Sequence, residues 1–419
     1  MPRPGKPPWI DRHAQPLVER ALRESRVVAL LGPRQVGKTS LARRVADARG
    51  GTYRSLDDPL QLTAAREDPE AFLAVRPPLV VDEFQRAGDD FLRAIKLTVD
   101  RPGRPGQFLL TGSTQYLTVP RLSESLAGRV QIVELWPFSQ GELRGRREVF
   151  LTRLFDEPAA LRRLEPEPLT RHDLLEMLCS GGYPAVRAVK AGPRQRWFDG
   201  YIRTLLQRDV RDLTHVQHGA VLLDLLRLLA ARTAQVLNVA EMGNELGLAR
   251  STLASYIPLL EAVYLLRRVP AWSRNLTSRV TKHPEVHLVD SGLAAHLLRA
   301  TPAALADPTH RARGPLLESF VLGELWKQCS WSELGIAIHH YRDHNGPEVD
   351  LVLEASDGRV AGVEVKAGSA VGTADFRSLD LLRDRLGARF ANGVVLASVP
   401  EPLSLGDRRT VLPISALWG

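Results

Sequence analysis

The sequence predicts an α/β fold: a parallel-sheet domain first, a mainly helical middle with a winged helix-turn-helix, and a small second α/β domain. Three observations predict it. Short apolar runs alternate with helical patterns over the first third of the chain, Leu and Ala recur at three-and-four spacing from about residue 140 to 310, and strand-like runs return after Gly314.

Val27 to Leu31 is an apolar run that stops at Gly32, and a helical pattern resumes at Lys38. That order is strand, glycine-rich turn, helix. Leu79-Val80-Val81 and Phe108-Leu109-Leu110 are two further buried-strand candidates, each ending in polar residues. Pro102 to Gly106 (PGRPG) is a turn into the third strand, and the break at Trp136-Pro137 closes the first domain. After Gly314, a helix from Leu316 to Lys327 precedes runs at Ile336 to Tyr341, Val349 to Leu353, Val360 to Val365 and Val394 to Ala397. Domains are expected at residues 1–140, 141–310 and 311–419.

A chain of 419 residues is too long for one ordinary core, so several domains are expected. The formal net charge of +8 favours an anionic partner, but much of it is arginine scattered along helical faces. The two cysteines, Cys179 and Cys329, lie far apart and exclude both a disulfide framework and a zinc spacing. No apolar run approaches the roughly 20 residues of a membrane span. The start, MPRPGKPPWIDRHAQ, lacks the apolar stretch of a secretory signal. The chain reads as cytoplasmic, with no membrane partner.

Gly32-Pro33-Arg34-Gln35-Val36-Gly37-Lys38-Thr39, followed by Ser40, fits the phosphate-loop pattern GxxxxGK[ST] in full. Glycines let the backbone curl so that its N–H groups face phosphate oxygens, and the following helix adds its positive end. Lys38 is placed to reach the β- and γ-phosphates of ATP, and the Thr39 hydroxyl to ligate Mg²⁺. A hydrophobic strand ending in Asp82-Glu83 supplies the second half: Asp82 beside Mg²⁺, and Glu83 to orient or activate the attacking water. The Thr111-Gly112-Ser113-Thr114 strand end offers Ser113 or Thr114 as a γ-phosphate sensor, or is a plain turn. Arg129 is a candidate for stabilising transition-state charge, in cis or from a neighbouring subunit, or is a surface arginine; Arg86 is a weaker one.

With these motifs in hand, the sequence resembles a known family. GPRQVGKTS, VVDEFQRA, LLTGSTQYL and LAGRVQIVELWPFSQGE, in that order, look like the AAA-type ATPase core of a large group of prokaryotic ATPases with a C-terminal domain of unknown function. Gly181-Gly182-Tyr183-Pro184, Arg208-Asp209-Val210, Val239 to Leu266, Leu288-Val289-Asp290-Ser291-Gly292-Leu293, and Glu348-Val349-Asp350 with Glu364-Val365-Lys366 extend the resemblance over essentially the whole chain. It implies a cytoplasmic AAA-type ATPase and says little about biological role.

Leu237 to Leu253 reads as a helix, a turn at Gly247 and a second helix beginning near Ala249 or Arg250. In a helix-turn-helix that binds DNA, Arg250, Ser251, Thr252 and Ser255 face the major groove, and Leu265 to Val269 is the first strand of a wing. The same unit also suits a lid or a protein contact surface. At the end, Pro347-Glu348-Val349-Asp350 and Glu364-Val365-Lys366 match the PD-(D/E)xK core of a restriction-endonuclease-like domain. Period two puts Glu364 and Lys366 on one face of their strand. Asp350 and Glu364 then share Mg²⁺, Lys366 positions water, and Glu318 on the preceding helix is the extra acid. A plain ion pair between Glu364 and Lys366 on an inactive scaffold is the other reading.

Together these features predict an ATP-hydrolysing AAA-type ATPase acting on or with DNA. A second reading is an ATP-driven protein-interaction switch whose C-terminal domains are inactive scaffolds. Homo-oligomers or a protein partner fit either.

Overall fold

In the computed structural model, the described residues are 9–114, 126, 128–187, 191–210, 219–273, 275, 279, 282–343 and 346–419. Residues 1–8 of the N-terminal stretch, Gln115 to Leu117 of LLTGSTQYL and Ala127 of LAGR lie outside them. The chain divides into two compact units, Met1–Arg147 and Glu148–Gly419.

The first unit is built on β1 (Val27–Leu31), β2 (Thr52–Ser55), β3 (Leu79–Asp82), β4 (Phe108–Gly112) and β5 (Val130–Glu134). They form one sheet in the order β2-β3-β4-β1-β5, with every pairing parallel. β1, β3 and β4 are buried at every position, as parallel strands covered on both faces must be, and their sequences are apolar until the last residues. The edge strands β2 (TYRS) and β5 (VQIVE) are only partly buried, so they carry polar residues and give little sequence signal. Helix Lys38–Arg49 buries Leu41, Ala42, Val45 and Ala46; Asp89–Asp100 buries Phe91, Leu92 and Ile95. Past Trp136-Pro137 the same unit continues through helix Gln140–Arg144, started by a capping box between Ser139 and Glu142.

The second unit opens with helices that include Arg171–Ser180 and Ala191–Thr204, the latter running into a π-helical turn at Leu205–Asp209. Asp290 fastens two of the sequence landmarks together. Its carboxylate accepts from the backbone N–H of Gly182 (2.7 Å) and from that of Leu293 (3.0 Å), capping helix Ser291–Leu297. Full burial pushes this carboxyl above its ordinary range, against the pull of those N–H donors.

Next come helix Gly219–Ala231, β6 (Gln235–Val236), helices Val239–Leu246 and Arg250–Ala262, β7 (Leu266–Val269) and β8 (Glu285–Leu288). The three strands form an antiparallel sheet in the order β6-β8-β7. Gly247 ends the first of the helix pair in the left-handed conformation, φ +64°, which a side chain tolerates poorly.

Helix Arg313–Trp331 then leads to β9 (Ala337–Arg342), β10 (Glu348–Glu354), β11 (Val360–Val365), β12 (Phe390–Ala397), β13 (Leu403–Ser404) and β14 (Arg409–Pro413). Their sheet has the order β13-β14-β12-β11-β10-β9. β9, β10 and β11 are antiparallel neighbours, whereas β11, β12 and β14 run parallel, with helix Arg377–Leu386 between β11 and β12. Val349, Val352, Val360, Phe376, Leu379 and Val395 form the centre of its core.

Among the described residues, no helix is long and apolar enough to cross a membrane.

Candidate functional site

Parallel α/β sheets bind ligands beyond the carboxyl ends of their strands, and here β1, β3 and β4 deliver their polar residues to that edge together. β1 runs into the loop Gly32 to Gly37. Gly32 lies at φ +152°, and a Cβ there would sit 2.1 Å from the Leu135 carbonyl oxygen, so only glycine lets the loop pass. Gln35 and Gly37 also take positive φ, 62° and 99°, which curls the backbone into helix Lys38–Arg49. Lys38 is buried, and its Nζ donates to the carbonyls of Gly32 (2.9 Å) and Pro33 (2.7 Å), which holds the ammonium over the loop.

Thr39 and Asp82 meet. The Thr39 hydroxyl donates to Asp82 Oδ2 at 2.9 Å, so a hydroxyl and a carboxylate stand side by side at the start of the helix and the end of β3. Two hard oxygen donors so placed suit Mg²⁺. Asp82 is held further by the Tyr53 hydroxyl (2.7 Å to Oδ2) and by the Thr111 hydroxyl, which donates to Oδ1. Burial, and then the Asp82 hydrogen bond, raise the Tyr53 phenol above its ordinary value. Neither Tyr53 nor Thr111 was singled out from sequence. Thr111 was legible in principle, since it lies on β4 directly across from Asp82; Tyr53 belongs to the polar edge strand.

Glu83 follows in the left-handed region, φ +56°, a conformation that non-glycine residues keep mainly where function requires it. Its Oε2 accepts from Gln85 Nε2 (2.6 Å) and, at the limit of hydrogen bonding, from the Ser113 hydroxyl (3.5 Å). The structure thus brings Glu83 and Ser113 together. Thr114 is half-exposed, Ser40 is exposed, and Arg86 is tied to Asp57.

A second layer, unread in the sequence, backs the loop. Arg12 is 5% exposed and donates to the Val36 carbonyl (2.7 Å), the Trp136 carbonyl (2.6 Å) and Glu142 Oε1 (3.0 Å), with its guanidinium 4.6 Å from the Phe138 ring centre. It ties the phosphate loop to the chain after β5.

Residues 24–144 match the AAA domain, residues 171–304 a domain of unknown function (DUF8612), and residues 313–417 a domain of unknown function (DUF4143). An uncharacterized protein of Mycobacterium tuberculosis is 30% identical over 358 residues, which cover 85% of this chain and 74% of that protein. An uncharacterized protein of Mycobacterium bovis matches to the same extent. The chain belongs to their family.

Among solved structures, a Walker-type ATPase of Pyrococcus abyssi shares 16% identity at a TM-score of 0.42, covering 69% of this chain and 96% of that one. The RuvB Holliday junction branch migration motor of Thermotoga maritima shares 21% at a TM-score of 0.29, covering 61% and 89%. The front of the chain is an AAA-type P-loop domain.

Within the AAA domain, Arg129 stands apart from the phosphate loop. The next residue, Val130, pairs with Val27 at the start of β1, whereas the loop follows Leu31 at its far end, about 15 Å away along the strand. Arg129 instead grips Asp100 through Nε (2.5 Å) and Nη2 (3.1 Å), holding that carboxyl below its ordinary range. A role in cis on the γ-phosphate is therefore corrected: the sheet places this arginine at its opposite end.

In the DUF8612 domain, Arg250, Ser251 and Ser255 are exposed on helix Arg250–Ala262, and Thr252 is half-buried. The Ser255 hydroxyl turns back to the Thr252 carbonyl at 2.7 Å.

In the DUF4143 domain, Glu318, Asp350, Glu364 and Lys366 act on one another electrostatically. Asp350 Oδ2 accepts from the Val365 N–H at 2.8 Å. Lys366 Nζ lies 3.4 Å from Glu364 Oε2, the contact that the scaffold reading expects. Burial first, and the Asp350 charge next, push Glu318 up to about 8 and Glu364 up to about 9. Asp350 itself rises to about 6, mainly through burial. Glu285, from β8, adds its charge to both Glu318 and Asp350. Among the described residues, no group of three or more His, Cys, Asp or Glu side chains is arranged to hold a metal.

Proposed function

We propose that this chain binds ATP with Mg²⁺ at its phosphate loop, hydrolyses it, and uses the cycle to act on DNA. The contact between Thr39 and Asp82 carries the reading, because the loop hydroxyl and the strand-end carboxylate meet where a triphosphate-bound cation needs them. Thr39 and Asp82 would hold Mg²⁺, which would supply charge neutralisation to the bound phosphates. The backbone N–H groups of Gly32 to Thr39 cradle the phosphates, and Lys38, released from the Gly32 and Pro33 carbonyls, follows the developing negative charge. Glu83 accepts from and orients the attacking water, and Ser113 beside it senses the γ-phosphate. Any arginine finger from Arg129 comes from a neighbouring subunit.

DNA as the partner is supported by the order helix, β6, helix, helix, β7, β8 with the sheet β6-β8-β7, the arrangement of a winged helix-turn-helix. Arg250, Ser251, Thr252 and Ser255 are its proposed contacts. Steady-state ATP hydrolysis with and without DNA tests the coupling. Stimulation that declines as salt rises supports it; turnover indifferent to DNA at every salt concentration leaves the protein-interaction switch.

One observation favours a second activity. The DUF4143 sheet, three antiparallel strands followed by a crossover helix and a parallel strand, supports a PD-(D/E)xK reading, as does the mutual electrostatic influence of Asp350 with Glu318, Glu364 and Lys366. Buried carboxylates that repel one another are stabilised by a cation as well as by protons. Plasmid nicking in Mg²⁺ or Mn²⁺ should be lost in Asp350→Ala and Lys366→Ala; variants that nick like wild type refute cleavage at this site.

A further inference from the structure

We propose that an arginine-lined cavity in the DUF8612 domain binds a phosphate-bearing nucleotide unit, supplied either free or within a nucleic-acid strand. The cavity measures about 850 Å³ and lies wholly within residues 179–302, so it is independent of the phosphate loop. Its size falls in the range of small-molecule sites, roughly 300–1,000 Å³.

Four arginines line it: Arg194 and Arg203 from helix Ala191–Thr204, Arg227 from helix Gly219–Ala231, and Arg299 from just past the end of helix Ser291–Leu297. Asp199 is the one acid among the described lining residues, and its carboxylate is already engaged by His296 Nε2 at 2.9 Å. Arg227 shares an exposed Asp224 at 3.2 Å. Arg194 faces Glu176 only distantly, at 3.7 Å, and its Nε is buried with no hydrogen-bond acceptor among the described residues. A buried guanidinium N–H without an acceptor is costly, and with Glu176 so distant the Arg194 charge is only weakly paired within the domain, which leaves it to attract an anion in the cavity.

Two backbone features point the same way. Arg299 is held in the left-handed region, φ +53°, directly after helix Ser291–Leu297, a strain that non-glycine residues retain chiefly at functional sites. The π-helical turn Leu205–Asp209 contributes Leu206 and Gln207 to the cavity lining. Such turns also recur at functional sites.

The remaining lining selects the ligand class. Planar guanidinium groups match phosphate oxygens in pairs. Ile202, Leu223 and Leu297 give an apolar floor for a base or sugar, and the Gln195 and Gln207 amides can both donate and accept at a base edge.

The test uses the full chain, a fluorescein-labelled ten-nucleotide DNA strand read by anisotropy, and AMP read by calorimetry. Wild type should bind at least one probe. Arg194→Ala and the exposed Arg203→Ala should each weaken that binding about tenfold. For the strand, each should also flatten the salt slope by about 0.7. Arg299→Gly, which keeps the left-handed backbone and removes the cation, should weaken it similarly without lowering the melting temperature. Displacement of the strand by AMP assigns the site to a single nucleotide; persistence against AMP assigns it to the chain. If neither probe binds, or all three variants bind as wild type does, the proposal fails.

Discussion

At the scale of single residues, Asp82 is surrounded by three hydroxyl donors, Thr39, Tyr53 and Thr111, which fix the carboxylate before any ligand arrives. Such preorganisation lowers the cost of assembling the site. Arg12 does the equivalent for the phosphate loop from behind. Replacing Arg12 with Ala leaves the buried Glu142 carboxylate without its counter-charge, held only by the backbone N–H groups of His13 and Ser139, which destabilises the first unit by about 3 kcal/mol. Thermal unfolding of Arg12→Ala should fall accordingly, with a raised KM for ATP; an unchanged melting temperature would show that the strap does not hold the loop. Arg12 was not legible in the sequence because nothing local marks it. Its partners Val36, Trp136 and Glu142 come from distant segments that only the folded sheet assembles.

At the scale of elements, the reading was good where burial is complete and poor where it is not. β1, β3 and β4 are buried throughout and apolar up to their last residues, so they were visible; β2 and β5 are edge strands whose half-exposed positions blur the pattern. In the helical middle, the turn at Gly247 was visible because a left-handed helix end demands glycine. Gly247→Val should cost about 1–2 kcal/mol, read as a lower denaturation midpoint with unchanged slope. The acid pattern on β10 and β11 was visible too, but not the contribution of Glu285 from β8, which no linear spacing encodes.

That cluster makes a pH prediction. Burial raises Glu364 from the ordinary 4.5 to about 9, so the folded state holds a proton that the unfolded chain releases. This stabilisation is complete below about 4.5 and is lost as pH rises through about 9. Between pH 5 and 9 wild type should therefore lose more melting temperature than Glu364→Gln, by about 2 °C or more. Parallel pH profiles for the two proteins would contradict the assignment.

At the scale of the whole molecule, three matched regions follow one another: an AAA domain, a helical domain with a three-stranded sheet, and a mixed sheet carrying buried acids. The order of the three regions along the chain was legible because each has a local signature: a glycine loop, a helix pair around a glycine, and acids at strand ends. Of the readings open for Arg129, the one in cis fails because linear order does not say which end of a sheet a residue occupies. In parallel strands, a residue just before a strand lies at the opposite edge from one just after it.

The account rests on the phosphate loop acting with the strand-end acids. Single-turnover hydrolysis of Mg²⁺·ATP, with nucleotide binding measured alongside, tests this in wild type, Lys38→Ala and Glu83→Gln. Lys38→Ala should bind nucleotide weakly. Glu83→Gln should bind like wild type and hydrolyse more slowly by a factor of about 100 or more. Wild-type turnover in both variants would contradict the account.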